Sequence, residues 1–361
     1  MTNDLPSMNK QIQTIGIIGE GKMGTSLFYY LLDFGFRIVW IGSEAADLEK
    51  MQKGFQKKVK RAFENTLISE NRLLFLFEHV VISKKLNDLA KCDLVIEAIS
   101  ENIDLKRDLF KRIDGIIPKD KILASNSSSI NPSLLVPSVE RKESFIGLHF
   151  FYPIQLKNIV EFIITGDTSK ETQRMIKDFF HKIKRNFLLL KEKDSFILNR
   201  IFLDFQNEAF LIIRDGYINV PHIDDIVKKY FFPSGVFEFI DNVGTDIMAV
   251  SIRNYISDYP HKDYFEPLLN ELEKMVSEGK LGQKSGTGFY KYPKETDESR
   301  VSFCDDPSNA SIVADVMKRL KFSYISSVKR FAGQSKINLN DLNEAIREYF
   351  GIERGPLTQE S

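Results

Sequence analysis

An apolar run at residues 14–19 ends in Gly19-Glu20-Gly21-Lys22-Met23-Gly24, and an amphipathic stretch over 22–34 begins inside that glycine cluster. A strand that turns on glycine directly into a helix admits few folds. The first glycine permits the tight turn, the second lets a pyrophosphate approach the backbone, and the third lets helix and strand pack closely. The unpaired N–H groups and positive dipole end of the helix would then hold the phosphates. Gly19, Gly21, Lys22, Met23 and Gly24 are therefore candidate dinucleotide contacts.

The pattern continues in kind. Short apolar runs at 37–41, 93–99, 121–125 and 145–150 alternate with amphipathic stretches at 44–65 and 104–116. Runs of this length suit strands buried on both faces of a parallel sheet. The alternation predicts a doubly wound α/β domain, with two further strands at 158–164 and 187–191 on its far edge. From residue 195 the pattern becomes helical, at 195–215, 223–231, 236–257 and 263–278, with no convincing strand among them. The predicted organisation is an α/β domain over 1–193, a helical domain over 194–293 and a helical extension over 294–361. A weak internal repeat supports the last division. Ile218-Asn219-Val220 and a helix ending Tyr230-Phe231 recur as Ile337-Asn338-Leu339 and a helix ending Tyr349-Phe350.

Composition narrows the partners. Lys plus Arg and Asp plus Glu are 50 each in 361 residues, which argues against a general nucleic-acid or membrane-surface binder, since both need a basic excess. The two cysteines, Cys92 and Cys304, form no C-x-x-C pair, so neither a disulfide framework nor a metal site is expected, and a reducing cytoplasm is the simple expectation. The N-terminal stretch lacks the apolar core of a secretion signal, and no run is long enough to span a bilayer.

Candidate chemistry lies past the strand ends. Ser125-Asn126-Ser127-Ser128-Ser129 follows one strand at its carboxyl end, where open α/β sheets bind ligands. His149 interrupts a strand otherwise made of Phe, Ile, Leu and Gly, so its imidazole needs a partner. Glu161 on the next strand can supply it. A carboxylate on one ring nitrogen fixes the tautomer and raises the basicity of the other, which suits a general base for an alcohol and a general acid for the reverse. Asn199 interrupts an apolar helix face between Leu198 and Ile201. At the end of the second strand, where an acidic residue should bond the adenosine ribose, stand Gly42 and Ser43, with Glu44 two residues late. No Arg stands there to favour NADP, so NAD is expected while NADP stays open.

Together these motifs resemble the L-3-hydroxyacyl-CoA dehydrogenase family over roughly residues 14–292. The matching segments are the glycine turn, E-A-I-x-E-N at 97–102, S-N-x-S-S at 125–129, G-L-H-F-F at 147–151, V-E at 160–161, N-R at 199–200 and G-x-K-x-G-x-G-F-Y at 282–290. The resemblance implies a Rossmann-type domain followed by a helical substrate and dimerisation domain, and an enzyme that interconverts a 3-hydroxyacyl-CoA and a 3-ketoacyl-CoA with NAD. It places the catalytic histidine on His149, its glutamate on Glu161, the substrate-orienting serine on Ser128 and the asparagine on Asn199. Cofactor contacts fall on Glu44, Glu101, Lys106, Ser128, Tyr152 and Lys284. Lys57, Lys58, Lys60 and Arg61 fall where the family approaches the CoA phosphates, with Ser128 also at the substrate. Three departures stand out: Gly42 for the acidic ribose contact, Tyr152 for the Asn usual after H-F-F, and Asn65 near a CoA-binding lysine. The extension resembles the start of a second helical copy in the large multifunctional relatives. A homodimer through the helical domain is expected. A dehydrogenase of a free hydroxy acid and a dinucleotide-binding protein without turnover remain alternatives.

Overall fold

The computed structural model describes residues 11–257, 259, 261–294 and 302–355. They divide into two compact units between Ser195 and Phe196.

The first unit is built on one sheet of eight strands. These are β1 (Thr14–Ile18), β2 (Arg37–Ile41), β3 (Val80–Ser83), β4 (Leu94–Glu97), β5 (Ile122–Ser125), β6 (Phe145–Phe150), β7 (Ile159–Ile164) and β8 (Asn186–Lys191). Their spatial order is β3-β2-β1-β4-β5-β6-β7-β8. Every pairing is parallel except β6 with β7, which is antiparallel. Order reverses between β1 and β4, and the turns that follow both strands open on the same sheet edge. That crevice is where such folds bind dinucleotides.

Continuous apolar runs are required because both faces of the sheet are covered. Ile15, Ile17, Leu94, Ile96, Ile122 and Ala124 enter one core. Their alternating neighbours Ile18, Val95 and Leu123 enter the other. The helices that cover the faces are α1 (Lys22–Leu31), α2 (Leu48–Glu64), α3 (Glu70–His79), α4 (Ile103–Asp114) and α5 (Lys170–Lys182). Side-chain caps set several of their starts: Asp47 accepts from Lys50 N–H, Ser69 from Arg72, Asn102 from Asp104 and Leu105, and Ser169 from Thr172.

Three of these elements escaped the sequence pattern. β3 is a four-residue edge strand that follows α3 with no turn residue between His79 and Val80. It is only partly buried, so the solid apolar run that betrays a central strand is missing. α3 itself and α5 are amphipathic segments bounded by serine caps rather than by glycine or proline.

The regular elements described in the second unit are helices, beside a bridged loop at 282–291. The α-helices are α6 (Ile197–Arg214), α7 (Val220–Tyr230), α8 (Val236–Val243), α9 (Thr245–Ile256), α10 (Glu266–Ser277), α11 (Ala310–Ser335) and α12 (Leu339–Phe350). The single helix expected over 236–257 is two helices. Gly244 breaks it with φ +106°, a conformation that side chains other than glycine's rarely adopt. α11 lies along α6, where Arg330 and Ser327 meet Asp204 and Arg319 meets Glu208. Phe350 from α12 stacks on Phe232 and edges onto Phe202. The two hairpins α6–α7 and α11–α12 carry an asparagine cap at the same place, Asn219 and Asn338.

The glycine-rich segment at 282–290 wraps round one buried side chain. Asp241 accepts from the N–H of Phe289 and Tyr290, both at 2.9 Å, and from the Tyr292 hydroxyl at 3.0 Å. A Cβ on Gly288 would stand 2.0 Å from the Asp241 carboxylate, and one on Gly282 would stand 2.2 Å from its carbonyl oxygen. Gly282 and Gly288 are therefore demanded by packing on Asp241, while Gly286 sits at φ +77°. Replacing Asp241 with Ala orphans three donors, so we expect a loss of roughly 3 kcal/mol, at about 1 kcal/mol each. Urea unfolding followed by tryptophan-independent circular dichroism reads this. An unchanged midpoint would remove Asp241 as the anchor.

Candidate active site

Gly19 sits at φ +119° with its N–H on the Ile41 carbonyl at 2.8 Å, and its own carbonyl accepts the Trp40 indole N–H at 2.8 Å. A Cβ on Gly24 would stand 2.1 Å from the Gly19 carbonyl oxygen, so α1 packs against the turn with no room for a side chain. A Cβ on Gly21 would meet nothing within 4 Å. α1 starts at Gly21 with no side-chain cap and no acidic residue in its first turn. An open, uncapped helix start facing open space fits a pyrophosphate.

The end of β2 differs from expectation. Gly42 is buried, and a Cβ there would stand 2.6 Å from the Ala46 Cβ. Glu44, the expected ribose contact, lies on an exposed turn whose carbonyl takes the Lys84 ammonium at 2.6 Å. The carboxylate that meets this strand end belongs to Glu20, inside the glycine turn. It accepts the Ser43 N–H at 3.0 Å and the Ser43 hydroxyl at 2.5 Å.

Past β4 and β5 two carboxylates organise the serine segment. Glu97, at 0 % exposure, accepts from Lys106 Nζ at 2.5 Å, the Ser125 hydroxyl at 2.8 Å and the Ile99 N–H at 2.8 Å. Glu101 gathers the next three serines: it accepts the N–H of Ser128 at 3.1 Å and of Ser129 at 2.7 Å, with the hydroxyls of Ser127 and Ser129. Burial alone would push the Glu101 carboxyl up. The Lys106 charge and the Ser127 and Ser129 donors outweigh it and hold the group below the usual carboxylate range. Lys106 was expected beside the cofactor, but it is 1 % exposed. Its ammonium bonds Glu97 and lies 3.5 Å from Glu101.

His149 and Glu161 are brought together by register. β6 and β7 pair antiparallel with His149 directly opposite Glu161, so both side chains share a face. His149 Nδ1 lies 2.7 Å from Glu161 Oε2, with the residues 3 % and 0 % exposed. The Phe151 ring packs on the imidazole with centroids 4.3 Å apart. Asn126 ties this strand to the serine segment by accepting the Phe150 N–H at 3.0 Å. Tyr152 follows, more than half exposed.

The second unit carries Asn199 and Lys284. The Asn199 amide is oriented at both ends: its Nδ2 donates to the Tyr255 hydroxyl and its Oδ1 accepts from the Tyr349 hydroxyl, each at 2.9 Å. Tyr349 belongs to α12, so the extension reaches this residue. Lys284 is ion-paired with both oxygens of Asp246 at 2.6 Å. On α2 of the first unit, Lys57, Lys58, Lys60 and Arg61 are all exposed, and Lys58 stands over the Tyr29 ring at 4.2 Å. Among the described residues, no cluster of His, Cys, Asp and Glu could hold a metal ion, and no helix is long and apolar enough to cross a membrane.

Two residues were not singled out from sequence, Glu97 and Asn126. Glu97 had a signal: a carboxylate closing the apolar run Leu94–Glu97 has nowhere to go but inward, and needs a cation such as Lys106 nine residues on.

Comparison with known proteins agrees with this layout. Residues 14–193 match the family description "3-hydroxyacyl-CoA dehydrogenase, NAD binding domain", and residues 196–292 match "3-hydroxyacyl-CoA dehydrogenase, C-terminal domain". A probable 3-hydroxybutyryl-CoA dehydrogenase of Deinococcus radiodurans is 34% identical over 278 residues, 77% of this chain and 99% of its own. The crystal structure of (S)-3-hydroxybutyryl-CoA dehydrogenase from Ralstonia eutropha superposes with TM-score 0.71 at 30% identity, covering 79% of this chain and 100% of that one. A 3-hydroxybutyryl-CoA dehydrogenase structure from Escherichia coli shares the fold over 97% of this chain and 91% of its own, with TM-score 0.78 at 18% identity.

The buried Glu97–Lys106 pair generates its own test. Lys106→Met leaves Glu97 without its cation, and we expect a loss of about 3–5 kcal/mol in denaturant unfolding. Adding Glu97→Gln should recover part of it. A double variant as unstable as the sum of both singles would mean that the two charges do not interact.

Proposed function

The chain belongs to the 3-hydroxyacyl-CoA dehydrogenase family, and on that premise we propose how its residues divide the work. The activity is NAD-dependent oxidoreduction between a 3-hydroxyacyl-CoA and a 3-ketoacyl-CoA, as in fatty-acid metabolism. What supports the assignment of roles is the 2.7 Å contact between His149 Nδ1 and Glu161. With Nδ1 committed to the carboxylate, Nε2 is the nitrogen that exchanges a proton with the substrate oxygen. His149 takes the 3-hydroxyl proton in oxidation and returns it in reduction. Glu161 stabilises the imidazolium that forms, in surroundings of Phe and Ile that strengthen the attraction. Ser128 orients the same substrate oxygen, and its backbone is fixed by Glu101. Asn199, its amide held by two tyrosines, positions the acyl group.

The uncapped start of α1 holds the pyrophosphate of NAD, with Gly19, Gly21, Lys22, Met23 and Gly24 around it. When bound, NAD supplies the hydride acceptor for oxidation and, as NADH, the donor for reduction. Glu101, Tyr152 and Lys284 contact the cofactor, a reading that family likeness supports. Lys57, Lys58, Lys60 and Arg61 meet the CoA phosphates as an exposed cationic face of α2. The second unit mediates a homodimer, residues 294–361 act as a partial second copy of α6–α7, and the enzyme works in the cytoplasm.

His149→Gln should lower turnover of acetoacetyl-CoA with NADH by about 10²- to 10⁴-fold, the usual worth of a placed acid or base. Turnover kept above about a third of the parent's would exclude that role. Glu161→Gln should lower turnover while leaving NADH affinity intact. An equal loss of NADH binding would make Glu161 a structural residue only.

A further inference from the structure

Three features meet at the carboxyl end of β2, and none belongs to the proton-transfer site. The position that carries an acidic ribose ligand in this kind of fold is Gly42 here. It is glycine for a steric reason: a Cβ would stand 2.6 Å from the Ala46 Cβ and 3.2 Å from the Met51 sulfur. Contacts between a Cβ and a carbon at 2.6 Å do not occur without rearrangement, so no acidic side chain fits while Ala46 and Met51 pack as they do. Glu20, the residue between the first two glycines of the turn, extends to this strand end instead. Its Oε2 accepts the Ser43 N–H at 3.0 Å and its Oε1 accepts the Ser43 hydroxyl at 2.5 Å. Ser43 is exposed and Glu20 is half-buried, so the carboxylate stands at the surface of the crevice.

We propose that Glu20, oriented by Ser43, is the ribose ligand of this chain, taking over from the glycine turn the hydrogen bonds that the β2 terminus cannot provide. This deepens the reading of the chain as an NAD enzyme and rests on it. The chemistry is that of a carboxylate accepting from two adjacent hydroxyls. A carboxylate has about four acceptor sites; the two Ser43 donors and the Glu20 backbone N–H occupy some of them, and the remaining capacity faces the vicinal diol of the adenosine ribose. Burial would push the Glu20 carboxyl up, but the bonds from Ser43 and the charge of Lys84 outweigh it, so the group is ionised at neutral pH. An ionised carboxylate also repels a 2′-phosphate, which makes Glu20 a determinant of NAD over NADP.

The opposite outcome is physically real, because the same negative charge lies beside the pyrophosphate position. If repulsion dominated, removing it would tighten binding. The test is titration of NADH and NADPH fluorescence against the full-length protein, its Glu20→Gln and Glu20→Ala variants, and Ser43→Ala, with thermal unfolding of each alone. Losing hydrogen bonds to a charged group should weaken NADH binding roughly 10- to 100-fold in the Glu20 variants, with a smaller loss in Ser43→Ala. NADPH binding should change less, so the preference for NADH narrows. Because Glu20 is at the surface, the thermal midpoints should stay with the parent's, and a Glu20→Gln protein that unfolds early is replaced by Ser43→Ala as the deciding variant. Unchanged or tighter NADH binding in Glu20→Gln overturns the proposal while leaving the enzyme reading in place. A parent protein that binds neither nucleotide overturns both.

Discussion

In an antiparallel pair, residues in register share a face and stand close enough to bond, and the β6–β7 step applies that rule to a histidine and a glutamate. Had β7 paired with β6 in parallel, as every other neighbouring pair in the sheet does, the strands would be linked by a long crossover and the two side chains would owe their proximity to chance. A short connection through 151–158 instead returns the chain at once, and a shift by one residue would take Val160 and Phe162 out of the core. Hydrophobic burial on one face thus fixes the polar contact on the other. A slip of one residue would turn Glu161 toward Phe150 and Phe180 and expose the imidazole to no partner at all.

The rest of the crevice depends on the same economy of register. β4 and β5 pair in parallel with Glu97 level with Ser125, so the carboxylate meets the first hydroxyl of the serine segment where the strands end. From there the chain leaves the sheet, and its serines have no ladder to join. Glu101 takes that place by collecting their N–H and O–H groups. Lys106 neutralises both carboxylates from below, which is why a fully buried lysine is tolerated. The segment that carries Ser128 is therefore shaped by ionic chemistry beneath it.

Much of this was legible in sequence because the signals were strong ones. Solid apolar runs marked β1, β2, β4, β5, β6 and β7, and a lone imidazole in the sixth implied Glu161 as its partner. The parts that were not legible share a physical cause. β3 is short and half-covered, so its composition carries no two-sided burial. Gly244 looked like one more residue in an amphipathic stretch, since its φ of +106° is a property of the folded backbone. Lys106 entered only as a cofactor contact implied by family likeness, and its ion pair with Glu97 is a tertiary contact that no local pattern encodes. Glu44 was read at the end of β2 because it is the first acid along the chain there, while the contact that Glu20 makes with Ser43 joins two separate turns. Contacts across 23 positions depend on how β1 and β2 lie together, which no local pattern encodes.

One device recurs in both units: a buried carboxylate on which backbone N–H groups converge. The partly buried Glu101 does this for the serine segment, Asp241 for the loop at 282–292, and Asp224 for the start of α8, where it accepts the N–H of Phe237 and Glu238 and the Tyr290 hydroxyl. Two of the chain's 29 phenylalanines, Phe237 and Phe289, pack together beside Asp224 and Asp241, which accept their N–H groups. A dry setting makes each N–H to carboxylate bond strong and each missing one costly. Burial still pushes the Asp224 carboxyl up to about 6 against its three donors, so the cost is not fully met there. The gain is placement. An irregular segment has no ladder to set its shape, and a charged acceptor that must be satisfied permits only the backbone conformations that deliver N–H groups to it. Loops that carry Ser128 and Lys284 are in this way made as definite as the strand and the helix they leave.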